Sequence, residues 1–254
     1  MGTSSKLPGP RGGGWSGAVQ KARAWARDGL TEDDAEHTGA PGREAARAYL
    51  RALARTLREA PDAFGLRAAL LSAGERLITV WERLQEAPAT TRTTQERNSD
   101  FAARFVDAVA GEGSTVATAA VRRATAGPLL DRLIDGLSEQ AAGESPPGTK
   151  APLPDDLFCE IYGLLFSDAV GEFIKTIIAE KIELTVPALY AIDPAAHIAS
   201  WAAEHVRAVL PLPCEAQRSK DATAPPITVV GRSLLEKTVD RALGIDAPGD
   251  GAPS

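Results

Sequence analysis

The sequence predicts an all-α fold, an irregular multi-helix bundle with a flexible Gly/Pro-rich N-terminal tail. Three observations carry this expectation. Apolar residues recur at three- and four-residue spacing along most of the chain, alternating strand-like runs are nearly absent, and the interruptions fall at Pro, Gly and Ser/Thr. With 254 residues, 44% of them hydrophobic, the chain can bury a proper core. No fixed-period repeat is visible, so a solenoid is not supported.

Residues 1–14 contain Pro8, Pro10 and five glycines and read as the tail. A helical region is expected over 15–141. Trp15, Val19, Ala22 and Ala26 fall at helical spacing around Ser16, a candidate N-cap, which predicts a first helix to Asp28, stopped by Gly29. Thr31 to Gly42 is acidic and turn-rich and reads as a loop, with Pro41 suited to the first turn of the next helix. There Ala46, Tyr49, Leu50, Leu53 and Leu57 form an apolar stripe, Arg43, Arg47, Arg51, Arg55 and Arg58 give a partly basic surface, and Pro61 ends the helix.

Leu66, Leu70, Leu71, Leu77, Ile78, Trp81 and Leu84 continue the period towards Pro88, with Gly74 as an expected kink. After a Thr-rich connection, a helix from Ser99 carries Phe101, Phe105 and Val109. The Gly111 to Gly113 turn separates it from another beginning at Ser114, which Pro128 bends or restarts ahead of Leu129, Leu130, Leu133, Ile134 and Leu137.

Residues 142–154, rich in Pro and Gly, read as a linker or exposed loop. A second helical region is expected over 155–244. Its first segment, with Leu157, Ile161, Leu165, Phe173, Ile177 and Ile182, is the candidate central core helix, divided near Gly171. Further helices are expected from Asp193 to Leu210 and from Gly231 to Leu243. Ile227 to Val230 is the one strand candidate, too short to make a sheet alone. Residues 245–254 read as a disordered tail.

A net charge of −6 and a sequence pI near 5.2 disfavour direct nucleic-acid binding as the main task. Cys159 and Cys214 lie far apart with no partner pattern, so both are expected to be buried thiols in a reducing, cytoplasmic setting. The N-terminus has no apolar run for a secretory signal, and Lys6 stands where a myristoylation signal needs Ser or Thr. The most apolar stretch, Ile161 to Ala179, is broken by Asp168, Glu172 and Lys175, which favours a core helix over a membrane span.

Motifs that carry catalysis are imitated rather than met. Gly143 to Lys150 reads GESPPGTK, but a phosphate loop needs Gly-Lys-Ser/Thr, and Pro146 and Pro147 lack the N–H groups of a phosphate cradle. His37, His197 and His205 have no third ligand at helical spacing for zinc. Glu160, Asp168, Glu172 and Glu180 could converge on a long helix, yet no Glu-x-x-His accompanies them, and ion pairs with Lys175 or Lys181 are the simpler reading. No Gly-x-Ser-x-Gly elbow is present. Independent catalysis is not expected, and neither a cofactor nor a metal is implied.

The remaining chemical handle is the N-terminus. Gly2 follows the initiator methionine, and so small a residue normally permits methionine removal. An α-amine has a reference pKa of about 7.7 to 8.0, so on the order of a fifth of it is nucleophilic near neutral pH.

Met1-Gly2-Thr3-Ser4-Ser5, Gly9-Pro10, Gly12 to Gly14 and Trp15 together resemble the head of the QatB family, the B components of Qat (QatABCD) anti-phage defence systems. The Gly42-Arg43-Glu44-Ala45-Ala46-Arg47 helix start is similar too, as is the Phe101 to Ala110 helix followed by Gly111-Glu112-Gly113-Ser114-Thr115. Where that family carries a more proline-rich run before the aromatic residue, this chain has glycine. The resemblance implies three partners: an ATPase, a QueC-like enzyme and a TatD-like nuclease. QueC-like enzymes activate a deazaguanine carboxylate with ATP and let an amine attack it. The resemblance therefore implies Gly2 as a modification site. It also implies a partner-docking tail of Thr3, Ser4, Pro8, Gly9, Pro10, Gly12, Gly13 and Trp15, on a non-catalytic helical body that docks the defence partners. A purely structural adaptor with an unmodified tail is the alternative, with an unrecognised metal-dependent hydrolase behind it.

Overall fold

A computed structural model describes residues 13–28, 39–86, 94–142, 153–182, 194–218 and 224–246. Every regular element among them is helical. In chain order these are α1 (Gly13–Asp28), α2 (Gly39–Glu59), a 3₁₀ turn (Ala63–Gly65), α3 (Leu66–Glu86), α4 (Thr94–Ala110), α5 (Val116–Ala126), α6 (Pro128–Ala142), α7 (Asp155–Ile182), α8 (Pro194–Arg207), α9 (Pro213–Arg218) and α10 (Ile227–Ala242).

The bundle is organised around α7. Its apolar residues are not confined to one stripe: Phe158, Ile161, Tyr162, Leu165, Phe166, Val170, Phe173, Ile174 and Ile178 are all buried, as expected of a helix surrounded by others. Helices α3, α5, α6, α8, α9 and α10 pack against it. One apolar cluster runs from Trp15 to Leu243, so helices on both sides of residues 143–152 share a core. Among the described residues no helix is long and apolar enough to cross a membrane.

Element ends follow local chemistry. The Thr115 hydroxyl accepts from the Thr118 N–H at 3.1 Å and caps α5, one residue beyond the expected Ser114. Gly111, at φ 70°, turns the chain out of α4, and the Arg76 guanidinium donates to the Val109 and Ala110 carbonyls at 2.7 and 2.9 Å, satisfying acceptors that the helix end leaves free. Pro128 opens α6, and Gly244, at φ 63°, ends α10. Leu153 is buried at the entrance to α7. Its backbone N–H and C=O both bond the side-chain amide of Gln85, at 2.9 and 3.2 Å.

Several expectations are corrected. Ile227 to Val230 is the first turn of α10, not a strand; Pro226 precedes it, Ile227, Thr228 and Val230 face the core, and the described residues hold no strand to pair with. Neither interior glycine breaks its helix. A Cβ on Gly74 would lie 2.3 Å from Leu235 Cδ1, and one on Gly171 would lie 2.9 Å from the Ala199 carbonyl oxygen. Both glycines are close-approach points, of α3 with α10 and of α7 with α8. Helix α4 begins at Thr94 instead of Ser99, and α1 at Gly13, which places Ser16 inside the helix and not at its cap. The cysteines are not free thiols: Cys159 on α7 and Cys214 on α9 form a disulfide, with their Cα atoms 6.1 Å apart.

Candidate functional site

The site is built around α1, the first described helix. On α1, Trp15, Ala18, Ala22 and Trp25 recur at spacings of three and four and are all buried, so one face of the helix seats on α2 and α8. The Trp15 indole N–H donates to the Thr56 hydroxyl at 2.9 Å, and that hydroxyl donates to the Ala52 carbonyl at 2.9 Å. Its ring meets Tyr49 edge-on, with centroids 6.1 Å apart. Trp15 is 4% exposed. It therefore engages the chain's own core and is not available to a partner as part of a docking tail. Gly13, the other described residue of that set, is the first residue of α1. Gly2, Thr3, Ser4, Pro8, Gly9, Pro10 and Gly12 lie outside the described residues.

Around the anchor the chemistry is aromatic and basic. Burial pushes the Tyr49 phenol up to about 12, against the lowering effect of the Arg23 guanidinium, so it is a neutral phenol at physiological pH. The Arg55 guanidinium sits 3.4 Å from where a Cβ on Gly14 would stand, so α1 and α2 meet closely at the leader's root. At the other end of the pair, Trp25 packs edge-on against Trp201 with centroids 5.5 Å apart, and the His197 ring lies 6.0 Å from Trp201. Gly42 fits against the Trp201 ring where no side chain could. On the outer face, Lys21 of α1 pairs with Glu44 of α2, which holds the Glu44 carboxyl below its ordinary value.

The residues weighed for metal chemistry do not converge. Glu160 bonds Arg132, Glu172 bonds Arg123 at 2.7 Å, and His197 lies in the aromatic group of α1 and α8. His205 is held below its ordinary pKa by burial and by the positive charge of Arg47. Asp168 is half-buried; Oδ1 accepts from the Ser167 hydroxyl at 3.1 Å, while Oδ2 is buried with no hydrogen-bond partner. Burial raises its carboxyl above the ordinary value, opposed by the Ser167 bond and by Arg207, with Glu172 adding to the rise. Among the described residues no group of three His, Cys, Asp or Glu side chains is arranged to hold a metal ion. The phosphate-loop imitation at 143–150, together with His37, lies outside the described residues, and the side chain of Glu180 is not described.

The sequence reading missed a second feature. The disulfide packs Cys214 over α7, where the Cys214 backbone N–H contacts Cys159 Sγ at 3.0 Å. A cleft of about 370 Å³ opens beside it, with Asp156, Glu160, Glu215 and Arg207 among its walls. A cysteine pair 55 residues apart leaves no local signal; only the packing of α9 on α7 brings the two together.

Fold and site together define an all-α protein whose first described helix is anchored in the core by a tryptophan, against an arginine-rich helix. In comparisons with protein-family models, curated proteins and solved structures, the chain matches none.

Proposed function

We propose that this chain is a non-catalytic component of a bacterial anti-phage defence complex, and that Gly2 is presented to a QueC-like enzyme as acceptor for a deazaguanine-type conjugation. In that reaction the Gly2 amine nitrogen bonds to the carbonyl carbon of an ATP-activated carboxylate, the nucleotide leaves, and the nitrogen loses a proton, giving an amide. The helical body docks the system's ATPase and TatD-like nuclease, and the work is done in the cytoplasm.

The observation that supports this reading is the burial of Trp15 at the root of the leader, with its indole bonded to Thr56. An aromatic anchor fixes one end of residues 2–12, and eleven residues can reach at most about 40 Å when extended. That is long enough to place an amine inside another protein's cleft while the body stays outside.

Intact mass and N-terminal peptide mass after co-expression with the adjacent QueC-like enzyme test the proposal. The expected result is a mass added at Gly2, abolished in the chain carrying Gly2→Pro. An unmodified glycine in cells that resist phage rejects conjugation. If a chain lacking residues 2–12 still protects, the structural-adaptor alternative stands in its place.

A further inference from the structure

Helix α2 carries Arg43, Arg47, Arg51 and Arg55 at four-residue intervals, and all four side chains are exposed. At a rise of 1.5 Å per residue the row is about 18 Å long, with one guanidinium roughly every 6 Å. Like charges at this spacing oppose the helix that bears them. The row therefore does not serve the stability of α2.

Elsewhere the arginines are spent inside the molecule. Arg67 holds Asp240, Arg123 holds Glu172, Arg132 holds Glu160, Arg232 holds Glu75 and Glu82, and Arg241 holds Asp246. No described carboxylate forms an ion pair with the four arginines of the row; Glu44, beside them on α2, is taken by Lys21. Helices α1 and α2 together carry eight Lys and Arg against three Asp and Glu, a net of +5 within a chain whose formal total is −6. These two helices are thus net positive in a chain that is net negative.

We infer that the exposed arginine row of α2 is a docking face for an acidic protein helix, one whose carboxylates recur every fourth residue and so meet the guanidinium forks in register. Arginine suits this use because its planar fork binds a carboxylate in bidentate fashion. A single-stranded nucleic acid fits less well: the outward positions of the row offer no aromatic ring for a base to stack on, and the chain as a whole repels phosphate. Arg55 lies against Gly14, so a partner seated on the row is held beside the root of the leader. The inference does not depend on the modification of Gly2.

The test uses the full chain and a synthetic helical peptide bearing Glu at every fourth position, with binding followed by fluorescence anisotropy at low and high salt. Binding is expected at low salt, weakening as salt rises, and at least tenfold weaker for R43Q/R47Q/R51Q/R55Q. The control R104Q/R123Q/K237Q/R241Q removes the same charge from exposed positions on α4, α5 and α10 and is expected to bind as the unaltered chain does. Should the fourfold row variant lose its helical circular dichroism, the pairs R43Q/R47Q and R51Q/R55Q replace it, each with a partial loss expected. Equal weakening in row and control variants, no binding by the unaltered chain, or tighter binding of a single-stranded oligonucleotide than of the peptide overturns the inference.

Discussion

The Trp15 indole and the Thr56 hydroxyl, 41 residues apart, meet at 2.9 Å and lock the beginning of α1 to the last turns of α2. The bond leaves no donor stranded, because the hydroxyl in turn donates its own hydrogen bond to the Ala52 carbonyl. Thr56→Val keeps the shape but leaves the indole N–H unpaired, at a cost of about 1–3 kcal/mol. Trp15→Ala also loses the ring packing and costs about 3–5 kcal/mol. Urea midpoints rank the two variants, and equal values would show that the hydrogen bond, and not the ring, holds the joint.

Gly42 has no room for a side chain, since an added Cβ would lie 1.9 Å from Cζ3 of the Trp201 ring. Gly42→Ala is therefore destabilising, by about 1–3 kcal/mol, even though alanine is the better helix former. Trp201→Leu opens the space. The two changes together should cost less than their sum, and a double-mutant cycle on denaturation free energies reads the difference.

Chemistry can check the cross-link between α7 and α9 directly. Protein unfolded without reductant should show no reactive thiol, and after reduction two. Replacing both cysteines with alanine should cost about 2–5 kcal/mol, because the unfolded chain regains the freedom of a 55-residue loop. A bond of this kind persists best in oxidising surroundings, so thiol counts on freshly lysed cells bear on the cytoplasmic setting proposed above.

Asp168 gives stability a pH dependence of defined sign. Burial raises its folded-state pKa above the unfolded value, so between the two the folded protein binds more protons. Its contribution is most favourable below the ordinary carboxylate value and is lost as pH rises through the folded pKa. Asp168→Asn should flatten that decline and stabilise the protein at neutral pH, with little change under acid. Denaturant midpoints across the acid range measure it; a variant less stable at neutral pH would show that the charge is compensated.

The helical architecture was legible because its signals are local. Leu66 to Leu84 and Phe158 to Ile178 repeat their apolar residues at helical spacing, and Pro128, Gly111 and Gly244 mark the boundaries they were expected to mark or adjoin. What stayed hidden depends on neighbours distant in sequence. Gly74 and Gly171 carry the same local signature as a weak point, and only Leu235 and Ala199 make them contacts. Ile227 to Val230 is β-branched enough to read as a strand, yet among the described residues no second strand competes for it, and the core side of α10 takes it instead. The arginine row could be read from its spacing. That its members form no ion pair with a described carboxylate could not, because pairing belongs to tertiary structure. Gly2 was readable as chemistry alone, and its placement lies outside the described residues.

The all-round apolarity of α7 has a consequence for how the protein is made. Residues 155–182 leave the ribosome before α8, α9 and α10, the segments that cover much of their surface, have been translated. For that interval the growing polypeptide displays an oily rod with nothing on one side of it, the kind of surface that invites aggregation or capture by a chaperone. Messages broken between α7 and α10 would yield insoluble fragments, and the cell's quality-control machinery would meet this protein most often as an unfinished chain.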